Sequence, residues 1–157
     1  MSALIVSACL LGEACKWNGG SNRDERVIRL CAGRAVIPVC PEVAGGLPVP
    51  RIPCEIRGGA VVNRLGENVD EAFRAGAAAC WARCAERENG QNEIVCAVLK
   101  ARSPSCGSGE IYDGTFTGRL TAGDGVFAAL VKARGIPVFT EEETEAANAL
   151  MEAEENQ

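Results

Sequence analysis

Four short apolar runs constrain the architecture more than any other feature of the chain: ALIVSAC (3–9), AVIPVC (35–40), EIVCAVL (93–99) and IPVFT (136–140). Each is rich in Ile and Val, and apolar almost throughout rather than at every second position. Alternation marks a strand with one wet face. A continuous run marks a strand covered on both faces, the habit of parallel sheets. Helical patterns separate the runs. DERVIRLCAG (24–33) carries Val27, Ile28, Leu30 and Cys31 ahead of Gly33 as C-cap, and NVDEAFRAGAAACWARCAERENG (68–90) is Ala-rich with acids near its start. GDGVFAALVKARG (123–135) is closed by Gly, and a last helix begins near Thr140, where Thr140 and Glu143 have capping-box spacing.

Strand–helix alternation predicts an α/β fold: a three-layer, Rossmann-like, mainly parallel sheet with helices on both faces and right-handed crossovers. EIRGGAVVN (55–63) reads as a small hairpin about Gly58-Gly59, and PEVAGGLPVPRIPC (41–54) as a Pro/Gly loop too irregular for either element. At 157 residues, with no repeat and no linker, one domain over 1–157 is expected, with an acidic tail from about 152.

The net charge is −5, the arginines are scattered and there is no basic run, so no large nucleic-acid surface is expected. No apolar run approaches the ~18 residues of a membrane span. The apolar start lacks the basic region of a signal peptide. The expectation is a cytoplasmic protein with no membrane partner; the sequence sets no oligomeric state.

Nine cysteines and no histidine set the chemistry. An odd number in a chain of this length argues against a disulfide framework. No CxxC occurs, which argues against zinc ribbons and thioredoxin-type pairs. Without histidine, acid–base work falls to carboxylates, Lys, Tyr or Cys. In parallel sheets ligands bind beyond the carboxyl ends of the strands. Cys9 closes the first run, Cys40 closes the second, and Cys106 lies seven residues past Leu99, the end of the third. Three thiols distant in sequence thus belong at one sheet edge, a set suited to a soft metal or an iron–sulfur cluster, or to plain packing. Cys31, Cys80, Cys84 and Cys96 lie inside elements and read as small buried hydrophobes. Cys15, near Cys9, is a candidate ligand or redox neighbour; Cys54 is a weaker one.

SACLLGEACKWNGG (7–20), PVCPEVAGGLPVPRIPCE (38–55), LKARSPSCG (99–107) and IYDGTFTG (111–118) together resemble a small bacterial family of thiouracil desulfidases. The resemblance implies a [4Fe-4S] cluster held by only three cysteines, here Cys9, Cys40 and Cys106, so that one iron stays open. It also implies catalytic roles for Glu42 of CPE and Ser103 of SPSCG. The implied reaction is desulfuration, without net electron transfer, of a small thiolated base or nucleoside such as 4-thiouracil, its sulfur taken up by the open iron. No GxGxxG fingerprint follows a strand, in keeping with a reaction that uses no nicotinamide. The sequence departs from the family pattern at Trp17 and Asn18, where an aromatic–acid pair is usual, and at PRIPCE, where the family has Pro-Arg-Pro-Pro.

From the residues alone other readings stand beside these. Glu42 could pair with Arg51. Ser103 could form an ST-turn before Pro104. Lys100 and Arg102 could meet substrate or solvent, Asp113-Gly114 is a turn signal, and GDG (123–125) could offer helix N–H groups to an anion or simply start a helix. The rival functions are a sulfur carrier or sensor with the same cluster, and a zinc or thiol redox protein.

Overall fold

The computed structural model describes residues 2–90 and 92–157. In chain order the elements are β1 (Ser2–Ser7), α1 (Glu25–Cys31), β2 (Ala35–Val39), the single turn α2 (Pro41–Ala44), β3 (Cys54–Arg57), β4 (Ala60–Asn63), α3 (Asp70–Gly90), β5 (Glu93–Leu99), β6 (Glu110–Tyr112), β7 (Leu120–Ala122), α4 (Val126–Ala133), β8 (Val138–Thr140) and α5 (Thr144–Glu155).

The four apolar runs form one parallel sheet in the order β2–β1–β5–β8. Its two faces account for their continuous hydrophobicity. On one face Ile5, Ile37, Ala97 and Leu99 pack with Ala77 and Cys84 of α3 and with Phe127 and Val131 of α4. On the other, Leu4, Val6, Cys96 and Val98 pack with Val27 and Leu30 of α1 and with Ala147 and Met151 of α5. Each Val, Leu, Ile, Phe or Met side chain among them contributes about 1.5–3 kcal/mol on burial, so these two faces hold the fold. From β1 the chain steps outward to β2, then crosses back past β1 to β5 and on to β8. The direction of winding therefore reverses between β1 and β5, which makes that boundary the topological switch point.

Local differences from the expected boundaries bear on function. The first run is strand only to Ser7; Ala8–Leu11 tightens into a 3-10 turn closed by Gly12 at φ 104°. Cys9 therefore sits on a turn, where its carbonyl accepts from the N–H groups of Gly12 and Asn22. The stretch expected to be irregular contains α2, whose first position is Pro41, a residue with its φ already set for a helix. One turn is too short to show as a periodicity. In α1 the C-cap is Ala32, with Gly33 following at φ 75°. Thr140 and Glu143 form the expected capping box, ahead of a short 3-10 turn rather than directly on the last helix.

The β3–β4 hairpin forms as expected about Gly58-Gly59. A second hairpin, β6–β7, leaves no signal in the sequence: its strands are three residues each, and tertiary bonds hold it in place. Glu55 accepts from the N–H groups of Gly114 (3.0 Å) and Phe116 (3.1 Å), and Arg57 donates to the Gly114 carbonyl (2.6 Å). The acidic stretch expected as a tail continues α5 to Glu155, where Arg34 makes a bidentate pair at 2.9 Å. Among the described residues no helix is long and apolar enough to cross a membrane.

Candidate active site

The loops beyond β1, β2 and β5 surround a cavity of about 400 Å³ at the switch point, and the β3–β4 and β6–β7 hairpins wall it through Glu55 and Tyr112. Cys9, Cys40 and Cys106 all line it, as do Glu42 and Ser103. The structure thus brings together every site residue expected from the sequence.

Burial pushes the Cys9 thiol up, opposed by the Asn22 amide, whose Nδ2 lies 3.4 Å from Sγ. Burial also pushes the Cys106 thiol well up, opposed by the Ser7 hydroxyl. Cys40 differs. The buried Cys15 thiol donates to it, the Val43 N–H and the Arg51 cation add to that, and together they outweigh burial and hold Cys40 below the ordinary thiol range. Cys15 is correspondingly held protonated as the donor. The Val43 N–H and the Arg51 cation favour charge on Cys40, whereas burial and the neighbouring Cys40, Cys9 and Glu13 charges oppose it on Cys15. Cys15 is a neighbour of the trio and lines the same cavity; Cys54 opens β3 and lines it too. Cys80, Cys84 and Cys96 are buried in the core and Cys31 partly so, as expected.

Glu42 is fixed at both oxygens. Arg51 Nε donates to Oε1 at 3.0 Å, and Ser105 Oγ donates to Oε2 at 2.8 Å. The Glu42–Arg51 pair is largely out of water, with side chains 15% and 6% exposed. Arg51 also donates to the carbonyls of Cys15 (2.8 Å) and Pro48 (3.2 Å), and its N–H donates to the Trp17 carbonyl (2.7 Å). Ser103 forms the ST-turn: its Oγ accepts from the N–H groups of Ser105 (3.1 Å) and Cys106 (3.0 Å).

The remaining candidates fall into place around this centre. Lys100 pairs with the buried Glu141 at 3.0 Å, and Arg102 pairs with Glu142 at 3.0 Å, so neither is a free cation at the cavity wall. The N–H groups opening α4 are engaged within the protein: Val126 and Phe127 donate to the carbonyls of Pro104 (2.9 Å) and Ser105 (2.8 Å). Gly125 makes this approach feasible, because a Cβ there would lie 2.5 Å from the Ser105 carbonyl carbon. Asp113 serves its turn, accepting from the Thr115 N–H at 3.0 Å.

Ser105, Ser7 and Asn22 touch the central groups and were not singled out from the sequence. The available signal for Ser105 was its position beside Cys106 in SPSCG, but serine is usually a surface residue and nothing local announces that this one is 2% exposed.

A family model described as 2-thiouracil desulfurase matches residues 4–143. The chain is 39% identical over 150 residues to the uncharacterized protein YbbK of Bacillus subtilis (strain 168), covering 89% of this chain and 96% of that one. A solved structure described as the [4Fe-4S]-dependent thiouracil desulfidase TudS matches with a TM-score of 0.85 and 42% identity, covering 96% of this chain and 99% of that chain.

Proposed function

The chain belongs to the 2-thiouracil desulfurase family, and from that premise we propose that it converts a small thiolated pyrimidine base or nucleoside to its oxo form with a [4Fe-4S] cluster held by Cys9, Cys40 and Cys106. The observation that carries this reading is the meeting of three thiols from three strand ends in one cavity, beside a carboxylate anchored at both oxygens.

The donor set fits such a group. Sulfur is the donor type iron–sulfur clusters take. Among the described residues no three His, Cys, Asp or Glu side chains are grouped to hold a single ion. With three protein thiolates, a bound cluster keeps one iron open as a Lewis acid for a soft sulfur atom.

The protein's own residues supply the rest. Asn22 donates toward the Cys9 sulfur, Cys15 toward Cys40, and Ser7 toward Cys106, so each thiolate has a hydrogen-bond partner against the cost of burial. Glu42, held by Arg51 and Ser105, keeps lone pairs free to take a proton from water attacking the thiocarbonyl carbon. The bonds balance as C=S plus water giving C=O plus hydrogen sulfide. No electrons are exchanged, so neither nicotinamide nor flavin is required. A cavity of about 400 Å³ and a net charge of −5 suit a base or nucleoside better than folded RNA, whose backbone calls for clustered cations. Nine free thiols suit a reducing compartment, and we assign the protein to the cytoplasm.

The test is iron and acid-labile sulfide per chain in anaerobically reconstituted protein, followed by turnover of 4-thiouracil. About four of each, as a four-iron cluster requires, should be found in the wild type and lost in Cys106→Ser, with many equivalents of sulfide released per chain. Absence of iron after reconstitution would refute the cluster; sulfide release that stops at one equivalent would make the protein a carrier.

A further inference from the structure

We infer that Ser105 is a positioning residue for the reaction: its hydroxyl is the middle member of a one-way hydrogen-bond chain, Ser103 to Ser105 to Glu42, that fixes where the Glu42 carboxylate points. The inference rests on the role given to Glu42 above.

The direction of the chain follows from donor counting. An ionised carboxylate only accepts, so the Ser105 hydroxyl hydrogen goes to Glu42 Oε2, 2.8 Å away. That hydrogen is then spent, and the 3.0 Å contact between the two serine oxygens must be Ser103 donating to Ser105. The Ser103 oxygen meanwhile accepts from the N–H groups of Ser105 and Cys106. Ser103 is therefore engaged on every side within its own loop. Ser105 is the serine that reaches the carboxylate.

Glu42 and Ser105 come from opposite sides of the switch point, on the loops after β2 and β5. Arg51 holds Oε1 through a donor on Glu42's own loop. A carboxylate held at one oxygen can swing about that contact, and a second donor on an independent element removes the swing. Ser105 also stands 3.7 Å from Cys106 Sγ. The same short stretch of backbone thus sets the Cys106 sulfur and the Glu42 carboxylate relative to each other. The stretch itself is pinned: Ser105 is buried, and its carbonyl accepts from the N–H groups of Phe127 (2.8 Å) and Ala128 (3.2 Å) at the start of α4.

The experiment compares the wild type, Ser105→Ala, Glu42→Gln and the double variant, all reconstituted anaerobically. Iron and sulfide per chain, the thermal midpoint, and kcat and KM for 4-thiouracil are measured on each. Ser105→Ala should keep its iron and its midpoint, leave KM within about twofold, and lose kcat by about 10²-fold, the scale expected when a reacting group is misplaced by an ångström. The double variant should be no slower than Glu42→Gln alone, because a residue that acts through another adds nothing once the other is gone. Wild-type kcat in Ser105→Ala beside an inactive Glu42→Gln overturns the inference and leaves the role of Glu42 standing. So does loss of iron in Ser105→Ala, which would make the hydroxyl a support for Cys106. Normal turnover in Glu42→Gln removes the role of Glu42 itself. Should Ser105→Ala fail to fold, Ser105→Thr keeps the hydroxyl: activity near wild type supports the inference, and activity at the Glu42→Gln level overturns it.

Discussion

Arg51 ties together the two loops that frame the cavity, through one guanidinium and three acceptors: the Glu42 carboxylate and the carbonyls of Cys15 and Pro48. Removing one partner of a buried ion pair leaves the other charge uncompensated and costs about 3–5 kcal/mol. Arg51→Ala should therefore lower the unfolding free energy from chemical denaturation by an amount in that range, seen as a lower midpoint. Arg51→Lys should recover only part of it, since an ammonium is a point donor and cannot span three acceptors as a planar fork can. Equal midpoints for the Lys variant and the wild type would show that the fork geometry is unimportant. Glu42 illustrates what a sequence conveys at this scale. Its place in the CPE motif that resembles the family marked it as a candidate, and the nearby Arg51 raised the alternative of an ion pair. The structure shows the ion pair at one oxygen and the Ser105 hydroxyl at the other, so the pairing and the proposed role are compatible in one carboxylate.

At the scale of elements, the single turn α2 lies against α3 with no side chain between them. A Cβ on Gly76 would stand 1.8 Å from the Pro41 carbonyl oxygen, and one on Gly45 would stand 2.1 Å from that of Ala72. Two effects compete in Gly76→Ala. Helix propensity alone would favour alanine by about 1 kcal/mol. The overlap is with backbone atoms, which cannot turn aside, and overpacking typically costs about 1–3 kcal/mol. The overlap should win and push α2 outward, carrying Cys40 and Glu42 with it. The expected result is a lower melting temperature together with less iron bound per chain on reconstitution. A variant with full iron content would show that α2 can shift without disturbing Cys40. The hairpin β6–β7 belongs to the same scale. Its strands have no period long enough to read, and what fixes it is Glu55 and Arg57 on another hairpin.

For the molecule as a whole, the thiols remote from the cavity set the response to alkali. Burial pushes Cys31 up to about 11 and both Cys84 and Cys96 to about 12, from an ordinary value of 9.0. Below pH 9 these thiols are protonated in folded and unfolded chains alike, and the stability they contribute is complete. Above it the unfolded chain releases protons that the folded chain retains, so stability falls as pH rises from 9 toward 11. Melting temperatures measured under reductant should decline across that window, and Cys84→Ala with Cys96→Val should flatten the decline; a slope unchanged by both substitutions would assign it to other groups. The parallel α/β architecture was legible in the chain because continuous Ile/Val runs have one economical solution, burial on both faces between helices. The gathering of Cys9, Cys40 and Cys106 was legible for a related reason: strands of a parallel sheet all end at the same edge, so residues placed just past those ends must meet. The tertiary structure alone decided which serine reaches Glu42, that the Cys15 thiol meets Cys40, and that the helix start at Gly125 packs on the Cys106 loop. These are relations between segments about 20 to 60 residues apart. They depend on ångström-level approach through glycines and on the direction of single hydrogen bonds, and neither leaves a periodic trace in a sequence.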